Sequence, residues 1–218
     1  MMAKAVATES QLNFVSVKAA ELLNMYVGES ERAIRNIFAK AAAASPCILF
    51  FDEFEAIATS RTHEGGSNSN VHTVTTLLTE MDGFGSRRDI FVLCATNFPE
   101  RIDAAIIRPG RIDDLMYIGP PDFAARLQII QRRCSKMHVD KIDMDAIAAS
   151  TDGMSGAEVV ELCRSASRLV IEEDIRSGQD QSLSTANFTM ALEGARKSIT
   201  PEVIRRYEHF AQGSNVCS

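Results

Sequence analysis

The sequence predicts an α/β part through about residue 119 and an all-helical part after it. Three observations carry this. Short continuous apolar runs of strand length occur at "NFVSV" (13–17), "CILFF" (47–51) and "IFVLCA" (90–95). Segments with apolar residues at helical spacing lie between them. Beyond "GPPD" (119–122) the strand pattern stops. Apolar strands alternating with helices imply a parallel sheet covered on both faces.

Taken in order, residues 3–9 read as a short helix and 13–17 as a strand. Residues 29–44 read as a helix, because Ile34, Ile37, Phe38 and Ala41 follow the i, i+3, i+4, i+7 rule. Pro46 ends it, and the buried strand 47–51 follows. "RTHEGGSNSN" (61–70) is a polar, glycine-containing loop. Val71, Val74, Leu78 and Met81 mark the next amphipathic helix, before the strand at 90–95. "LMYI" (115–118) is a further strand candidate. In the second part, Asp122 can cap a helix through about Met137. Ser155 and Glu158 form an S-x-x-E capping box. The helix behind them puts Val159, Leu162, Cys163, Ala166, Leu169 and Val170 on one face. Thr200 followed by Pro201 is a helix start.

Composition narrows the class. An apolar fraction of 45% and a charged fraction of 24% over 218 residues are those of a soluble globular chain. The formal charge of -6 divides into about -4 before residue 120 and about -2 after it, so no charged tail hides in the average. Nucleic acid and anionic membrane are not expected partners. No stretch approaches the roughly 18 apolar residues of a membrane span, and "MMAKAVATES" has no signal-peptide core. The five cysteines include no CxxC pair, which suits reduced thiols in a cytoplasmic or nuclear protein.

Four stretches carry chemistry. The apolar run 48–51 ends directly on Asp52 and Glu53. Ligands of open α/β sheets bind outside the carboxyl ends of the strands. There one carboxylate can hold Mg²⁺ and a second can deprotonate water. Alternatively, both acids open the next helix, where negative charge suits the N-terminus. Asn97 follows the 90–95 strand. It can bind a water or phosphate oxygen, or serve as a turn residue in Asn-x-Pro. In "AAIIRPGRID" (104–113), Pro109 and Gly110 hold Arg108 and Arg111 in a fixed relation. Guanidinium suits charge developing on a phosphoryl oxygen, but a surface turn with solvated arginines reads the same way. Met25, Tyr26 and Val27, in the loop before Gly28, are either core or a contact surface.

Together and in this order these stretches resemble the AAA family of ATPases. "FFDEFEAIA" resembles its Walker B, "ATN" its sensor 1, "RPGR" its arginine-finger box and "MYVG" its substrate-gripping pore loop. "MSGAE" resembles its sensor 2 region. "SGAEVVELCRSA" and "ITPEVIRRYEHFA" are similar to the second ATPase domain of the valosin-containing branch, and "CRSASRLVIEEDI" to that of the spermatogenesis-associated branch; the sequence does not separate the two. The likeness spans nearly the whole chain. It implies the parallel sheet of a P-loop NTPase over 1–119 and a helical lid over 120–218.

The resemblance also implies ATP and Mg²⁺ as cofactors, with Asp52 on the metal and Glu53 polarising water. Asn97 would sense the γ-phosphate. Arg108 and Arg111 would act on a neighbouring subunit's ATP. Gly156 and Ala157 would lie near the nucleotide, and Met25, Tyr26 and Val27 would grip a threaded polypeptide. The implied protein is a homo-oligomeric, hexameric unfoldase or remodeller with polypeptide substrates and adaptor proteins. There are departures: Phe98 stands where the family usually has Arg, Val27 replaces an aromatic, and "KAAEL" replaces K-G-P-E-L. No G-x-x-x-x-G-K-[ST] occurs in the sequence. In the family that phosphate loop precedes a helix resembling "MMAKAVA". The expectation is therefore a C-terminal piece of a longer ATPase, inactive by itself. The other reading is a non-catalytic oligomerisation or adaptor-binding module.

Overall fold

The computed structural model describes residues 2–23, 28–59, 68–84, 89–135, 137–140, 142–213 and 216–217. These form two compact units, Met1–Leu115 (joined by Ser214–Cys217) and Met116–Gly213.

The first unit runs α1 (Met2–Ser10), β1 (Asn13–Lys18), α2 (Ala19–Leu23), α3 (Glu29–Ala43), β2 (Cys47–Asp52), α4 (Glu55–Ala58), α5 (Asn68–Phe84) and β3 (Ile90–Cys94). The strands form one parallel sheet in the order β1-β2-β3. Register runs from Asn13↔Cys47 to Lys18↔Asp52 on one side and from Cys47↔Ile90 to Phe51↔Cys94 on the other. Helical connections are what parallel neighbours require. β2 is central, and its Leu49 and Phe51 are completely buried. The α3 face predicted from spacing is the one that packs: Ile34, Phe38 and Ala41 are fully buried. The Phe51 ring lies 6.1 Å from Phe38 and 5.7 Å from Phe54, within the range of favourable aromatic pairs. This cluster fixes the end of β2 that carries the acids.

Two expectations are corrected here. The sheet is not covered on both faces along β3, where Phe91 is 60% and Leu93 37% exposed. A continuous apolar run does not reveal which of its faces is packed. The "LMYI" stretch contributes only the two-residue strand β4 (Leu115–Met116), outside the parallel sheet. In addition, α5 starts at Asn68, so the end of the predicted polar loop is helical; residues 60–67 lie outside the described residues.

The second unit holds α6 (Phe123–Cys134), α7 (Met144–Ser150), α8 (Gly156–Ser177), α9 (Thr185–Glu193) and α10 (Pro201–Gly213). The predicted caps form. Asp122 accepts from the Ala125 N–H at 2.7 Å. Ser155 Oγ accepts from Glu158 N–H at 3.2 Å while Glu158 Oε2 accepts from Ser155 N–H at 2.6 Å. Val159, Leu162, Cys163, Ala166 and Val170 of α8 are buried, with Leu169 packed at the margin. Arg126, only 5% exposed, is fully engaged. It donates to Pro121 O at 2.9 Å and Ala148 O at 3.3 Å, and pairs with Asp152 at 3.0 Å. A buried cation needs such partners. Strand structure is not wholly absent beyond residue 119 as expected: a Val139–Leu183 bridge and the two-residue strand β5 (Val216–Cys217) occur. Cys47, Cys94, Cys134 and Cys163 are free thiols. Burial pushes the first three up from the usual thiol range and Cys163 up to about 11.

Candidate active site

The site is built where β2 and β3 end. Asp52 is the last residue of β2 and is exposed. After it the chain must turn Phe54 back into the core, where it is completely buried. Glu53 absorbs that reversal with φ of 53°, in the left-handed region. For a residue with a Cβ this costs about 1 kcal/mol or more. Such strain persists where the surroundings over-determine it, and functional sites are where it clusters. The result is an exposed carboxylate on a left-handed turn, next to Asp52, whose Oδ1 accepts from the Glu53 N–H at 3.1 Å. Neither acid belongs to a helix, because α4 starts at Glu55. The Glu53 carbonyl nevertheless accepts from the Ala56 N–H at 2.9 Å, so the pair stands at the entry to α4.

Three bonds tie this turn to the end of β3. Ala95 N–H donates to Phe51 O at 2.8 Å, and Phe54 N–H donates to Ala95 O at 2.9 Å. The Thr96 hydroxyl donates to Glu55 Oε2 at 2.6 Å. Thr96 Oγ1 also accepts from the Phe98 N–H at 3.0 Å, which brackets the exposed Asn97. The Arg101 guanidinium stands 4.3 Å from the centre of the Phe98 ring, so a cation adjoins the position of the family's usual arginine.

The R-P-G-R turn belongs to the same unit. Residues leading to it are anchored by the Thr59–Ile102 bridge, the Asp103 N–H to Ala58 O bond at 2.7 Å and buried Ile106. Gly110 sits at φ 91°, which few other residues adopt, and Arg111 N–H donates to Arg108 O at 3.1 Å. The two arginines are not equivalent. Arg111 grips Asp82 of α5 with two nitrogens, at 2.7 and 2.8 Å, and donates to Ala105 O at 2.6 Å. The hydrogen bond with Arg111 holds the Asp82 carboxyl below the usual carboxylate range. Arg108 is exposed, and its side chain has no partner among the described residues.

Gly156 and Ala157 open α8 in the second unit. A methyl group on Gly156 would meet Ile129 Cδ1 at 3.7 Å, an ordinary contact, so packing inside the lid does not demand glycine there. Met25, Tyr26 and Val27 lie outside the described residues. Sequence reasoning missed Glu55, Thr96 and Asp82. Glu55 is the third acid in "DEFE" and Thr96 directly precedes Asn97, but only the fold shows that their side chains meet.

The acid pair suits Mg²⁺ rather than an enclosed metal. Among the described residues no group of three or more metal-ligating side chains occurs. One accessible carboxylate at the end of a strand fits an ion that keeps its water shell and takes other ligands from phosphates.

The carboxyl edge of a parallel sheet, where Asp52 and Glu53 stand, is where open α/β domains bind their ligands. The family described as "ATPase family associated with various cellular activities (AAA)" matches residues 1–120, and the AAA+ lid domain matches residues 141–185. With more than half its length in the first match, the chain belongs to the AAA family of ATPases. It is 46% identical over 211 residues to the ATPase family gene 2 protein of Schizosaccharomyces pombe, covering 96% of this chain and 25% of that protein. It is 44% identical over 220 residues to the Saccharomyces cerevisiae protein of the same name, covering 100% of this chain and 28% of that protein. To the human ATPase family gene 2 protein homolog A it is 45% identical over 219 residues, covering 99% and 24%. The chain thus spans about a quarter of the length of these curated relatives.

Proposed function

We propose that this segment carries the water-activating half of an ATP-hydrolysing, ring-forming protein that unfolds or remodels polypeptides. The observation that carries the reading is Glu53, an exposed carboxylate on a strained turn directly beside Asp52, at the carboxyl end of the central strand. Asp52 would hold Mg²⁺ through water. Glu53 Oε would take the proton of an attacking water, and the Asn97 amide would help orient that water. ATP with Mg²⁺, when bound, supplies the electrophilic phosphoryl group and its charge neutralisation. Gly156 and Ala157 would approach the nucleotide from the lid. Arg108 projects from a stiff turn without a partner among the described residues, as a group meant for a neighbouring subunit's nucleotide would. Met25, Tyr26 and Val27 would contact the threaded substrate.

The remodelling part is tested with Tyr26→Ala in the full-length protein. Unfolding of a tagged substrate is expected to fall well below wild type while basal ATP hydrolysis is retained. Equal loss of both activities would remove Tyr26 from substrate contact. A second reading is a non-catalytic oligomerisation or adaptor-binding module. A phosphate loop encoded upstream in the same reading frame would dismiss that reading.

A further inference from the structure

We infer that Glu55 and Thr96 form a positioning pair that sets Asn97 against Glu53, an inference that rests on the hydrolytic reading of this site. Of the three bonds joining the ends of β2 and β3, two are main-chain bonds that most residues could make. The third, Thr96 Oγ1 to Glu55 Oε2 at 2.6 Å, depends on both side chains. It is short and charge-assisted, the stronger kind of hydrogen bond. Both partners are half-buried, so water competes weakly.

The pair sits beside both candidate residues. Glu55 is two residues past Glu53 and opens α4, whose Ile57 and Ala58 are buried. It is therefore anchored to the core rather than carried on a mobile loop. Thr96 directly precedes Asn97, and the same hydroxyl oxygen accepts the Phe98 N–H at 3.0 Å. A hydroxyl that donates to a carboxylate becomes a better acceptor. Glu55 thus strengthens the bond that closes the chain around Asn97. Ala95 on one side and Phe98 on the other are held, and Asn97 between them has its backbone direction fixed relative to the Glu53 turn. Neither Glu55 nor Thr96 presents a group to the substrate in this role.

Three substitutions in the full-length protein test this: Thr96→Val, which keeps shape but removes the hydroxyl, Thr96→Ser, which restores it, and Glu55→Gln. The first readout is amide hydrogen exchange in peptides covering 94–98, which needs no nucleotide. Thr96→Val is expected to speed exchange there about 10- to 100-fold, the range for losing a bond to a charged group. Thr96→Ser should restore protection, and Glu55→Gln should fall between. The second readout is steady-state ATP hydrolysis. Thr96→Val should lower kcat about tenfold or more with KM for ATP nearly unchanged. The double variant Glu55→Gln with Thr96→Val should lose no more than the worse single one, as residues acting as a unit do. Unchanged exchange at 94–98 in Thr96→Val, or losses in kcat that multiply in the double variant, would overturn the pairing. If the unsubstituted full-length protein hydrolyses no ATP, the hydrolytic reading fails, and the exchange experiment still decides whether the pair holds the loop.

Discussion

Arg111 grips Asp82 through two parallel hydrogen bonds, Nε to Oδ1 at 2.7 Å and Nη2 to Oδ2 at 2.8 Å, whereas Arg108, three residues earlier, faces solvent. Guanidinium and carboxylate match in this forked geometry. Arg111 thereby ties the R-P-G-R turn to α5, while Arg108 is left exposed.

Both arginines are therefore expected to be needed for a shared site, by different routes. Arg108→Ala should lower ATP hydrolysis by about 10³-fold or more, as loss of an arginine finger does, without loosening residues 105–113. Arg111→Ala should lower hydrolysis and also raise hydrogen exchange over that segment. Mixing full-length Arg108→Ala with Glu53→Gln subunits should restore part of the activity, because some interfaces then combine an intact arginine with an intact base. Verified mixed rings without recovery would show that Arg108 does not act across subunits.

Glu158 gives the lid a defined pH dependence. Partial desolvation pushes its carboxyl up, but hydrogen bonds from Ser155 and Ser198 outweigh this and hold it at about 2, against an ordinary 4.5. A folded-state value below the unfolded one contributes stability above about 4.5, and that contribution is lost as pH falls toward about 2. Glu158→Gln keeps an acceptor for the capping box but removes the charge, and should destabilise the lid by about 0.3–1 kcal/mol at pH 7, the usual worth of a negative charge in a helix's first turn. The difference between variant and wild type should shrink as pH falls through that window. A difference that stays constant from pH 7 to pH 2.5 would show that the carboxylate charge is not what the cap uses.

The 218-residue chain by itself is expected to bind Mg·ATP more weakly than micromolar. Asp52, Glu53 and Asn97 can place a metal and a water, but a triphosphate is held chiefly by the backbone and lysine of a phosphate loop, which this sequence does not contain. The uncovered Phe91 and Leu93 should also make the isolated chain self-associate. Calorimetric titration and sedimentation check both. Micromolar binding by the 218 residues would show that other groups hold the phosphates.

Much of this was legible because it depends on local pattern. Spacing found α3 and α8, and cap chemistry found Asp122, the Ser155–Glu158 box and Pro201. Strand length found β1, β2 and β3 within a residue or so. What periodicity could not supply was tertiary. The same apolar run describes a strand packed on both faces and β3 with Phe91 exposed. Asp52 and Glu53 were visible as a pair, but the left-handed turn at Glu53 follows from Phe54 entering the core. Arg108 and Arg111 look alike in R-P-G-R, and only Asp82, far away in sequence, separates them. The Glu55–Thr96 bond joins residues with no shared motif and appears only once β2 and β3 lie side by side.

The central claim is that Glu53 is the base of an ATP hydrolase. Its most direct test compares nucleotide affinity and turnover in the full-length protein carrying Glu53→Gln. Loss of a positioned base costs roughly 10²–10⁴-fold in rate while contributing little to binding. The expected result is a Kd for Mg·ATP close to wild type with steady-state hydrolysis lowered by at least about 10²-fold. Near-normal hydrolysis by the Glu53→Gln protein would contradict the assignment.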